Sequence, residues 1–142
     1  VFISGQRIWS SDKKDLTDIR NLDIHQITIS IIKKVSNILQ INFLRDDRLL
    51  TELSGHIQPT IARLRAGIPV ENPLLKEFQE SYPSVYNACE EGLSLLCPLL
   101  HIKKVPASEI GFITLYFTMA IERIQRWVQQ NELKKKLRGF LS

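Results

Sequence analysis

The chain has 142 residues, 44% hydrophobic and 24% charged, with a net charge of +4, which suits one globular domain with a single core. Of that charge, +3 falls between residues 131 and 142, where Lys134, Lys135, Lys136 and Arg138 stand against Glu132. The folded body is left nearly neutral, which disfavours a phosphate-tracking surface there and favours reading the cluster as a solvated helix end.

Only six glycines and six prolines, with no low-complexity run, leave little room for disorder. The first residue is Val, so we expect an excerpt of a longer polypeptide. Residues 1–23 lack a helical period. Phe2, Ile3, Ile8 and Trp9 suit a short strand or arm, and Ser10-Ser11-Asp12 suits a turn or cap. We expect a leader or linker there.

From Ile24 the 3.6-residue period takes over, with Ile24, Ile27, Ile31, Ile32, Val35, Ile38 and Leu39 on one face. Ile41-Asn42-Phe43 breaks this helix, and Asp46 or Asp47 is expected to cap the next. That second helix runs through Leu49, Leu53, Ile57, Ile61 and Leu64 and should stop near Gly67. It carries Pro59, which has no N–H to donate to the carbonyl of Gly55, so the turn holding His56 is expected to be kinked or loosened.

Asn72-Pro73 reads as a cap and first-turn proline for a short helix over 74–80. Pro83 restarts a helix expected to continue through Cys97 until Pro98. Val105-Pro106-Ala107-Ser108 leads into a last helix over 109–130, apolar on most sides as far as Met119. The expected architecture is all-α, a compact bundle of about five helices joined by short connections.

Cys89 and Cys97, eight residues apart on one predicted helix, have Cα atoms separated by ~12 Å, too far for a bridge that needs under ~7 Å. Reduced cysteines fit a cytoplasmic location. The apolar run Ile110 to Ile121 is shorter than the ~18 residues of a membrane span, so no membrane contact is expected.

No glycine loop for phosphate and no Cys/His spacing for zinc occurs. His25, His56 and His101 lie on separate segments, and no serine or cysteine sits in a nucleophile turn. We therefore expect no enzyme, no cofactor and no metal. His56 has two readings: a half-buried core histidine, or a neutral imidazole presented to an activated phosphoryl group. Arg63, two turns on along the same face, is placed to recruit or pin such a group. The residues alone favour the core reading.

Four blocks shift that balance: Leu53-x-x-His56-Ile57-x-Pro59-x-Ile61-x-Arg63-Leu64; Asn72-Pro73-Leu74; Tyr82-Pro83-x-x-Tyr86-x-Ala88; and Glu109-Ile110-Gly111-Phe112-Ile113-Thr114-Leu115-Tyr116-Phe117-x-x-Ala120-Ile121-Glu122-Arg123. In order and spacing the chain resembles the PTS regulation domain of bacterial sugar-operon antiterminators and activators, over roughly residues 24–126.

The resemblance implies a five-helix domain that forms homodimers. It also implies histidines phosphorylated by the phosphocarrier protein or a sugar-specific enzyme II component. Nucleic acid would be bound only through a module elsewhere in the polypeptide. It assigns residues 24–130 to the domain, 1–23 to a leader and 131–142 to a basic tail. His56 matches the first phosphoacceptor and Arg63 the arginine after it, whereas Tyr116 stands where the family has its second histidine. Tyrosine remains protonated, with a pKa near ~10, and does not replace that histidine chemically. The alternative is a degenerate copy that acts as a dimerisation scaffold without phosphorylation. Direct nucleic-acid binding through the Lys134–Arg138 tail ranks behind both.

Overall fold

A computed structural model describes residues 24–141. Among them are six α-helices and no strand: α1 (Ile24–Leu39), α2 (Asp47–Ala66), α3 (Leu75–Ser81), α4 (Pro83–Leu93), α5 (Leu96–Leu100) and α6 (Ala107–Leu141), with a 3-10 turn at Phe43–Arg45. The all-α expectation holds. The leader expected over residues 1–23 lies outside the described residues.

α1 is rich in β-branched residues and depends on packing rather than propensity. Its Ile31, Ile32 and Val35 are fully buried, and Thr28 returns its hydroxyl to the carbonyl of Ile24 at 2.7 Å. The helix stops where Gln40 turns left-handed, at φ 56°. Phe43 then enters the core, its ring edge-on to Phe117 with centroids 4.9 Å apart.

α1 packs mainly on α4 and α2, while α6 crosses α2, α3 and α4. Gly92 makes the α1–α4 contact possible, since a Cβ there would lie 2.8 Å from Val35 Cγ2. Burial pushes the Cys89 thiol up to about 12, with the neighbouring Thr114 hydroxyl opposing the shift, so this cysteine is an inert core residue.

Several expectations about helix ends need correction. Asp46 occupies the N-cap position of α2 without a side-chain cap bond. Its carboxylate instead accepts from Arg123 Nε and Nη2 at 2.9 and 2.7 Å, tying α6 to the start of α2. Two charge-assisted bonds to one arginine take the place of the cap bond.

The helix expected to reach Cys97 is two helices, because α4 ends at Leu93 and Ser94–Leu95 form a turn before α5. Both cysteines are free, and they lie on different elements. The last helix runs to Leu141 instead of about Gln130. It is less enclosed than its composition suggested, with Leu115 and Met119 at 37% and 38% exposure forming its outer edge.

Candidate functional site

The site is built where two helical stripes face each other. On α2, His56, Thr60 and Arg63 follow the i, i+4, i+7 spacing of one face. On α6, Glu109, Phe112 and Tyr116 follow i, i+3, i+7. Arg63 meets Glu109 at one end and His56 meets Tyr116 at the other, so the two stripes run antiparallel.

At the first end the contact is ionic. Glu109 is only 1% exposed, and its two oxygens accept from Arg63 Nε at 2.9 Å and Nη2 at 2.8 Å. Its place in the first turn of α6 favours the anion. Hydrogen bonding to Glu109 raises the already high pKa of Arg63, so the guanidinium stays charged. Arg63 also donates to Thr60 Oγ1 at 3.3 Å, and Thr60 donates to the carbonyl of His56 at 2.9 Å. Hydrogen bonds thus link the guanidinium through Thr60 to the backbone of His56.

At the second end the contact is aromatic. The imidazole centroid lies 5.2 Å from that of Tyr116 and 6.0 Å from that of Phe112. Nε2 of His56 is enclosed and has no hydrogen-bond partner. Burial lowers the pKa of His56 below its ordinary value, the Arg63 cation lowers it further, and Glu109 partly offsets both. At neutral pH the ring is uncharged and retains a lone pair for nucleophilic attack.

Pro59 does not interrupt the helix holding this ring, since α2 is continuous from Asp47 to Ala66. The Gly55 carbonyl that lacks a donor lies on an exposed residue, where water can serve it. Pro59 thus removes one hydrogen bond from the turn holding His56 without ending the helix.

His56, Arg63 and Tyr116, singled out from the sequence, are brought together. His25 and His101 are exposed on other elements, His101 as the left-handed residue closing α5. Among the described residues no group of three or more His, Cys, Asp or Glu is placed to hold a metal ion. None of the described helices is long and apolar enough to cross a membrane.

Two residues gain weight from the structure. Glu109 stood in the fourth sequence block, and a carboxylate heading an apolar helix was the available signal. Asn72 donates from Nδ2 to the Ser108 carbonyl at 3.3 Å and accepts at Oδ1 from the Leu74 amide at 3.0 Å. That arrangement pins the loop before α3 to the start of α6. Gly111 makes room for it, because a Cβ there would come within 2.5 Å of Asn72 Nδ2.

A depression of about 200 Å³ lies beyond Arg63, lined in part by Gly67, Pro69, Ile102, Lys104 and Pro106. A larger one of about 290 Å³, lined by Arg45, Asp46, Arg123, Ile124 and Trp127, does not include His56. Chemistry places the site with the imidazole and the guanidinium, not with the larger volume.

The chain is 34% identical over 98 residues to the probable licABCH operon regulator of Bacillus subtilis, covering 69% of this chain and 15% of that protein. It is 26% identical over 108 residues to the transcriptional regulator ManR of the same organism, covering 76% and 16%. To the protein GlcT of Staphylococcus saprophyticus it is 24% identical over 125 residues, covering 87% and 43%. It therefore spans less than half the length of each. No solved structure matches the chain. The PRD domain family matches residues 29–120, a span that contains every residue of the two facing stripes, and the chain belongs to that family.

Proposed function

We propose that this chain is the regulatory, non-catalytic domain of a bacterial sugar-operon transcription regulator, controlled by PTS-dependent phosphorylation of His56. The donor is the phosphocarrier protein or a sugar-specific enzyme II component. Residues 24–130 form the regulatory domain, 1–23 a leader and 131–142 a basic tail. Phosphorylation shifts a cytoplasmic homodimer between two packings, and nucleic acid is bound by another part of the polypeptide.

The observation that carries this reading is the uncharged imidazole of His56, framed through Thr60 with an arginine anchored on a buried carboxylate. Such a ring is a competent nucleophile toward a phosphoryl donor, and a guanidinium is the side chain best suited to a phosphoryl group. Added charge at the α2–α6 junction biases whichever packing accommodates it better. Incubation with the phosphocarrier protein and its donor system should label the chain, and His56→Ala should abolish the label. Label that survives the substitution assigns the acceptor elsewhere.

Tyr116 favours a second reading, a dimerisation scaffold that no longer takes phosphate. In that case His56→Ala and His56→Asp leave dimer affinity and reporter expression unchanged.

A further inference from the structure

We propose that His56 takes the phosphoryl group on Nδ1, while the enclosed Nε2 keeps the ring proton. This rests on His56 being the acceptor, and it adds which of its two nitrogens reacts and what fixes the choice.

Nε2 is enclosed with no N–H or O–H to accept from and no oxygen to donate to. What stands against the imidazole is two aromatic rings, tilted at 52° and 47° to its plane. In-line attack requires the phosphorus to come within ~3–3.5 Å of the nucleophile with its oxygens clear of protein atoms. The enclosed Nε2 admits no such group unless the side chains around it are displaced, so attack falls to Nδ1. The reactive tautomer is therefore the one with the proton on Nε2 and the lone pair on Nδ1.

The step balances as an exchange of one phosphoramidate for another. The Nδ1 lone pair forms the new N–P bond as the P–N bond to the donor's histidine breaks, and the donor nitrogen leaves with that electron pair. Nε2 retains its proton, so the ring becomes a phosphoimidazolium whose positive charge faces the negative phosphoryl oxygens. No buried group is in place to remove that proton. The phosphoryl group returns to the carrier by the reverse exchange. His56 then reports the phosphorylation level of its donor instead of storing a past event.

The tautomer can be read before any transfer, by long-range 15N–1H correlation on the 142-residue chain. We expect a protonated Nε2 and an unprotonated Nδ1. Treatment with the phosphocarrier protein and its donor system, followed by 31P and 15N spectroscopy, should give Nδ1-phosphohistidine at position 56. Nε2-phosphohistidine, or a resting Nδ1–H tautomer, overturns the proposal and leaves His56 as the acceptor. A chain that takes no label, or that keeps its label in His56→Ala, overturns the reading beneath it. Tyr116→Leu should lower the Nε2–H fraction and give mixed isomers, whereas Tyr116→Phe should preserve one. An unchanged tautomer and isomer in Tyr116→Leu removes Tyr116 from the explanation.

Discussion

Arg63 and Glu109 show how one ion pair can serve both fold and site. Glu109 is enclosed and Arg63 is its sole ionic partner within salt-bridge distance among the described residues. Arg63→Ala therefore strands a buried carboxylate, and the expected cost is ~3 kcal/mol near pH 7. Urea unfolding of the variant beside the parent chain at pH 7 checks this. His56 adds a separate acid sensitivity. Its folded pKa lies below 6.5, so below pH 6.5 the unfolded chain binds the proton first, and stability falls until the folded pKa is also passed. His56→Gln should flatten the unfolding free energy through that window.

The helices divide their glycines by what a methyl group would meet. Gly55 has nothing within 4 Å of a built Cβ, and Gly55→Ala is expected to stabilise α2 by ~0.5–1 kcal/mol. Gly111→Ala drives a methyl group into Asn72 and Leu75 and is expected to cost ~1–3 kcal/mol. Paired thermal melts should move in opposite directions.

The sequence displayed what periodicity records: the faces of α1 and α2, the stop at Gly67, and the spacing of His56 and Arg63. It did not display what depends on contacts between elements. Asp46 looks like a cap until Arg123 is brought to it from 77 residues away. Glu109 looks like the polar start of a helix until it is buried under Arg63. A run through Cys97 looks like one helix because nothing local in Leu93-Ser94-Leu95 forbids it.

Taken as a molecule, the chain concentrates its stability in the α1–α2–α4–α6 core and leaves its basic end outside. Leu133, Leu137 and Phe140 are 59%, 51% and 86% exposed. Truncation after Gln130 should therefore change the unfolding free energy by no more than about 0.5 kcal/mol. Phe43→Ala, at the centre of the packing, should cost ~3–5 kcal/mol. Denaturant titration of the two variants beside the parent chain tests this division.

α6 carries one more consequence. It holds Glu109 and Tyr116 in its first three turns and continues unbroken for 35 residues to Leu141, a length of ~52 Å at 1.5 Å per residue. A rod of that length is a lever whose short arm is the site. If a new charge beside His56 tilts it by ~5° about the core, the far end moves by roughly 3 Å, comparable to the shifts that repack an interface. Chemistry at a single nitrogen would then reach the far end of α6 as displacement.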